Sequence, residues 1–233
     1  MNEFNIRKEL PSIKVDIDLI KQLEKYILSD VPEILGIDPD QVYKNYSLEI
    51  IDSLGSGQFN RISEFPLSIL QDGTDKIKFG FKLFDKAYYS VNISFSKSNN
   101  SSKLDISLKT NNPREKAQGI YNGIFDRINP HKTYNYIFHT VFMMFSGGLG
   151  LGLIGPILIF ITNSNYLWAS LLSIASILIM FFAIQGQKFK PYSEFMTKRQ
   201  SRYNRIFSFF IWGVISYMVF GLGLGIIKEL VMR

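Results

Sequence analysis

Polar and apolar residues alternate strictly over three stretches in the middle of the chain. In "KIKFGFKLF", 76–84, the apolar set is Ile77, Phe79, Phe81 and Leu83; in "YYSVNISFS", 88–96, it is Val91, Ile93 and Phe95; in "KLDISLK", 103–109, it is Leu104, Ile106 and Leu108. A period of two is the signature of a strand with one buried face. The connections "DKA" and "KSNNSS" are short and polar, as hairpin loops are. The three stretches therefore predict an antiparallel β-meander, with Lys76, Lys78 and Lys82 on its solvated face. A further strand is expected around 43–51, where Tyr46, Leu48 and Ile50 alternate with polar neighbours, and "LGSGQ", 54–58, reads as a turn.

Two other stretches follow the helical period. In "VDIDLIKQLEKYIL", 15–28, Ile20, Leu23 and Ile27 share a face, and Asp16 or Asp18 is available as N-cap. In "NNPREKAQGIYNGIFDRINP" Asn112 is placed to cap, Pro113 fits the first helical position, and Glu115 completes a capping box. Ala117, Ile120, Tyr121, Ile124, Phe125 and Ile128 then recur at spacings that cover the apolar side of a sheet, until Asn129-Pro130 ends the helix. Residues 1–130 are thus expected to form a cytoplasmic α+β domain, an antiparallel meander covered by helices.

Beyond residue 133 the alternation gives way to long apolar runs. Segments at about 136–161, 166–185 and 206–227 each reach the roughly 20 residues needed to cross about 30 Å of hydrocarbon. On this pattern residues 131–233 are expected to be a three-helix transmembrane bundle, making the chain a multi-pass protein of a bacterial inner membrane. "TNSN", 162–165, is its uncharged outer hairpin, and 186–205 its basic cytoplasmic loop. Basic residues are retained inside, which sets the N-terminus as cytoplasmic and the C-terminus as outside. Tyr134, Tyr136, Tyr166 and Trp168 fall where interfacial aromatics belong, and Pro191 followed by Ser193 is expected to start a helix leading into the third span.

Glycines punctuate the apolar half. "GLGLIG", 150–155, matches a dinucleotide-binding fingerprint, but the next acidic residue downstream is Glu194, far beyond the distance at which a ribose contact is expected. The pentapeptide "GLGLG" occurs twice. Its pairs Gly148/Gly152 and Gly221/Gly225 are read as helix-packing faces through which the bundle associates with itself or with another membrane protein. In the loop, Lys188, Lys190, Lys198, Arg199, Arg202 and Arg205 are assigned to topological retention and to anionic lipid of the bilayer.

Charge and composition narrow the chemistry. The net charge of +6 lies beyond residue 130, which disfavours nucleic acid as a partner of the folded domain. With no cysteine and only His131 and His139 there is no thiol nucleophile and no His/Cys metal set, and no P-loop, H-E-x-x-H or G-x-S-x-G is present. His139 reads as a ring reaching headgroups. No cofactor and no enzymatic activity are expected. The N-terminal "MNEFNIRKELPSIKVDID" lacks the apolar core of a signal peptide. Richness in Lys, Asn and Ile is similar to that of chains from AT-rich bacterial genomes.

The expectation is a membrane-anchored, non-enzymatic protein whose soluble domain binds a partner or ligand. By architecture it resembles membrane effectors of bacterial defence systems, a sensor joined to a few helices. Two other outcomes have their own marks. An accessory subunit of a larger membrane complex would place a foreign chain on the glycine faces. A small enzyme would have a deep polar pocket where "INPHKTY" meets the basic loop.

Overall fold

In the computed structural model the described residues are 2–65, 70–84, 87–98, 102–141, 152–166 and 186–209, with scattered positions at 148, 168, 169, 172, 173, 176, 212, 213 and 216. The alternating stretches form strands β5 (Lys76–Phe84), β6 (Tyr88–Ser96) and β7 (Lys103–Thr110), after β1 (Asn2–Glu9), β2 (Ile13–Val15), β3 (Tyr46–Asp52) and β4 (Gly55–Phe59). Six of them make one antiparallel sheet in the order β1-β7-β6-β5-β3-β4. Register aligns the apolar faces across strands: Leu48 opposes Phe79, Phe79 opposes Ile93, Ile93 opposes Leu104. A slip of one residue would turn this whole set to the opposite face.

Helices cover that face. Helix α1 (Ile17–Lys25) starts where Asp16 accepts a hydrogen bond from the Leu19 amide at 2.8 Å. It continues through a wider helical turn at Tyr26–Asp30 into α2 (Val31–Leu35), which Gly36 ends in the left-handed conformation at φ 72°. The short α3 (Pro39–Asn45) leads into β3, and α4 (Pro113–Ile128) returns across the sheet. Leu19, Ile20, Leu23 and Ile27 are buried with Ala117, Ile120, Ile124 and Ile128 against the sheet's inner face. Helix α4 comes close to the end of α1 because Gly123 leaves its face bare there. A Cβ on Gly123 would meet the Tyr26 ring and hydroxyl, and Arg127 stacks over that ring at 4.0 Å while pairing with Asp30 at 3.0 Å.

Some expected details differ. Asn112 does not cap α4 with its side chain; it sits at φ 52°, a left-handed position that Asn tolerates. The "LGSGQ" stretch is a strand and not only a turn: β4 pairs with β3 from Gly55 to Phe59, and the Asp52 carboxylate holds the turn by accepting from the Leu54 and Gly55 amides. β1 was not expected at all.

The transmembrane bundle is not found. Among the described residues no helix is long and apolar enough to cross a membrane. Within the first expected span, 136–161, the described pieces are one helical turn at Ile137–Val141 and a nine-residue helix at Ile154–Thr162. At 1.5 Å per residue the latter covers about 14 Å, half of a hydrocarbon core. Most of the expected spans 166–185 and 206–227 lies outside the described residues. The fold class of a membrane protein with three spans, the membrane and transmembrane assignments, and the multi-pass inner-membrane localisation are accordingly corrected. Apolar composition set those expectations, and the described helices do not have the continuous length they need.

The segment read as a cytoplasmic loop takes another role. Residues Ser193–Phe195 form β8, which lies parallel to β2 with Ile13 opposite Ser193 and Val15 opposite Phe195. The helix expected from Pro191 and Ser193 begins only at 198, and the described residues 198–209 are helical. Phe195 is 1% exposed and joins the core of the sheet domain.

Candidate functional site

Polar side chains fasten this segment to the domain. Tyr192 donates its amide to the Lys97 carbonyl at 3.0 Å and its hydroxyl to the Leu10 carbonyl at 3.0 Å. The Ser102 and Ser193 hydroxyls meet at 2.8 Å. Glu194 is 5% exposed; its carboxylate accepts from Asn135 Nδ2 at 3.0 Å and from Asn204 Nδ2, with the Lys190 ammonium 4.0 Å away. Lys190 also donates to Asn204 Oδ1, and Gln200 donates to the Phe189 carbonyl, each at 2.8 Å. A carboxylate buried this deeply requires such partners.

Between the docked segment and the sheet lies a pocket of about 490 Å³, lined by Lys97 and Ser98 from the end of β6, by His139, and by Lys188, Arg199 and Tyr203 among others of the 187–203 stretch. No carboxylate lines it among the described residues. Lys97 is paired with Asp75 at 2.9 Å, whereas Lys188 makes no ion pair among the described residues. Arg199 donates Nε to the Tyr203 hydroxyl at 2.8 Å, which leaves its two Nη groups available. The His139 ring hydrogen-bonds the Lys190 carbonyl through Nε2 at 3.0 Å, and this partner fixes Nε2 as the donor. Burial pushes the His139 pKa below the usual imidazole value, against the opposing effect of that carbonyl, so the ring is neutral at pH 7 with Nδ1 as its acceptor.

The rim already holds one anion of its own. The Arg199 amide, at the start of the 198–209 helix, donates to Asp72 Oδ1 at 2.8 Å. That bond, helped by the Thr197 hydroxyl and the Arg199 and Lys198 charges, holds the Asp72 carboxyl below the usual carboxylate range.

A larger groove of about 830 Å³ runs over the open face of the sheet, lined by Lys76, Lys78, Lys82, Lys103, Glu49 and Asp105 among others. Two of its charges are paired, Lys78 to Glu49 at 2.8 Å and Asp105 to Arg7 at 2.7 Å, while Lys76, Lys82 and Lys103 make no ion pair among the described residues. Alternating signs on a flat polar face describe a solvated surface. The smaller pocket, walled by both the sheet and the docked segment and without a carboxylate among its described lining, is the better candidate.

Of the residues singled out in the basic segment, the structure brings Lys188 and Arg199 into the pocket and turns Lys190 inward to Glu194 and Asn204. Lys198 lies beside Asp72, while Arg202 and Arg205 are exposed on the 198–209 helix. Gly148 and Gly152 are open, with no atom within 4 Å of a Cβ built on either, and Gly221 and Gly225 lie outside the described residues. Sequence reasoning missed Lys97, Ser98, Glu194, Asn135, Gln200 and Asn204. Polar residues joined across 59 positions in Asn135–Glu194 carry no periodicity to betray them. His139 was noticed but assigned to headgroups. No group of three or more His, Cys, Asp or Glu able to hold a metal occurs among the described residues. Comparison with family models, with characterised proteins and with solved structures returns no match.

Proposed function

We propose that this protein is a non-enzymatic binding protein whose sheet domain and 186–204 segment together take an anionic ligand of the phosphate class. The observation that carries the reading is a pocket supplied with Lys97, Lys188 and Arg199 and lined by no carboxylate among the described residues. Guanidinium and ammonium groups converging with hydroxyl and amide donors match an oxyanion with several acceptors. Because one wall belongs to the sheet and the other to the docked segment, an anion bridging Lys97 to Arg199 would tighten the dock, which is how a sensor couples occupancy to the position of a segment. The absence of cysteine from the chain removes thiol chemistry from that pocket.

The test is calorimetric titration of the full chain with inorganic phosphate and then with a nucleoside monophosphate. Binding is expected, weakening as salt rises, and the double substitution Lys188→Gln/Arg199→Gln is expected to weaken it by about tenfold or more. Both side chains are exposed, so the melting temperature should be unchanged. Absence of binding at millimolar ligand, or binding indifferent to the double substitution, overturns the proposal. A preference for the nucleotide over free phosphate would place a base or sugar contact beside the basic residues.

A further inference from the structure

The sheet has two edges of unequal quality. β4 is five residues long and contains Gly55 and Gly57. β1 is eight residues long, pairs with β7 along its whole length in one unbroken register, and carries no strand on its outer side among the described residues. Such an edge is a template for another strand.

The direction of its free groups can be worked out. The Leu10 amide donates inward to the Ser102 carbonyl at 3.0 Å. In an antiparallel ladder the inward and outward groups alternate, so the even residues Phe4, Ile6 and Lys8 bond to β7, and Glu3, Asn5, Arg7 and Glu9 present their amides and carbonyls outward. Phe4 and Ile6 are only partly buried, packed against the rim of the core.

We infer that β1 pairs antiparallel with β1 of a second copy of this chain, about a two-fold axis at Asn5, joining two six-stranded sheets into one. Any register with its axis on a residue of β1 keeps the outward residues opposed, and those centred near the middle of the strand pair the most residues. Placing the axis at Ile6 sets Glu3 against Glu9 and Phe4 against Lys8, and placing it at Phe4 shortens the paired stretch. The axis at Asn5 sets Glu3 against Arg7 twice, so that Arg7, paired with Asp105 of its own chain at 2.7 Å, meets the Glu3 carboxylate of the other. It also sets Phe4 against Ile6 twice, closing the half-covered rim of each core with the other. Asn5 faces itself as a hydrogen-bonded pair. Opposite charges directly across a ladder are favourable and like charges are not. This charge complementarity, together with the apolar pair on the helix side, selects a second copy as the occupant.

The experiment uses the full chain and two charge reversals. Glu3→Arg and Arg7→Glu are each expected to be monomeric by sedimentation, because each sets like charges opposite one another, and an equimolar mixture of the two is expected to form a heterodimer. A thiol test fixes the register, and the chain has no cysteine of its own. Cα atoms of a hydrogen-bonded pair lie about 5.5 Å apart, within the range a disulfide spans. Asn5→Cys is therefore expected to cross-link to itself on mild oxidation. Glu3→Cys and Arg7→Cys are expected to do so only with each other, and Ser56→Cys on β4 not at all. A chain that stays monomeric at high micromolar concentration overturns the inference. So does a dimer that persists in both charge reversals, since it would use another surface, and so does cross-linking at Ser56→Cys as fast as at Asn5→Cys.

Discussion

The core under the sheet and the dock that holds residues 186–204 are both buried, yet they are built from opposite materials. Under the sheet Ile20, Leu23, Ile77, Ile93 and Leu104 are fully enclosed side chains without a polar atom, whose attraction depends on area and hardly on direction. In the dock Glu194, Asn135, Asn204, Gln200 and Ser193 are almost as enclosed or partly so, and each is held by a hydrogen bond to a named partner. A core of the first kind tolerates small shifts. A dock of the second kind is satisfied in one arrangement and costly in any other. That makes it suited to a segment whose position reports whether the adjacent pocket is filled.

The largest effect should come from the sheet itself. Gly80 lies in the middle of β5 at φ 155°, and a Cβ there would stand 2.0 Å from the Val91 carbonyl oxygen and 2.8 Å from the Asn92 Cα. These are backbone atoms of the neighbouring strand and cannot step aside. Gly80→Ala is expected to cost about 3 kcal/mol or more, read as a loss of cooperative unfolding or a large fall in denaturant midpoint. A near-neutral result would mean that β5 and β6 can separate locally, and that the sheet is not the rigid partner in the comparison.

Next comes the dock. Glu194→Ala removes the acceptor of two buried amide groups, and Asn135 keeps only its bond to the Pro191 carbonyl at 2.9 Å. The expected cost is about 2–3 kcal/mol, and it should be local: hydrogen exchange should speed up across 186–204 while the amides of β5, β6 and β7 remain as protected as before. If the whole domain loses protection together, dock and sheet are one cooperative unit and the contrast between them fails.

How much of this was legible follows from the same contrast. β5, β6 and β7 could be read to within a residue or two, because burial on one face imposes a period of two on side chains. The faces of α1 and α4 could be read because burial on a helix imposes its own spacing. β1 escaped because an edge strand covers little core, and only Phe4 and Ile6 stand out among its charged neighbours. β4 escaped because its glycines resemble a turn. The dock escaped altogether: a pairing such as Asn135 with Glu194 is fixed by geometry across the fold and leaves no periodic trace. The apolar stretch after residue 133 was legible as apolar, but hydropathy measures composition and not the length of the helix that results, and the Ile154–Thr162 helix has nine residues.

The smallest effect tests a polar group placed on the apolar side of the comparison. Glu24 of α1 is 8% exposed. Its carboxylate accepts from the Ile62 amide at 2.8 Å, and the buried Tyr46 hydroxyl lies beside it. Burial raises the Glu24 pKa above the ordinary value, outweighing the Ile62 bond, and burial with the Glu24 charge raises that of Tyr46. A folded-state value above the unfolded one means that the native protein favours protonated Glu24. The associated stability is complete below the unfolded carboxylate value near pH 4 and is lost as pH rises through the folded value. Glu24→Gln cannot ionise and keeps a carbonyl for the Ile62 amide. Its stability relative to the parent is therefore expected to rise as pH increases above about 4 and to level off above the folded value, by less than the effect of either other substitution. Denaturant midpoints of both proteins across that range provide the measurement. A difference that falls with pH would show that the ionised carboxylate is stabilised where it lies, making Glu24 a dock residue within the core.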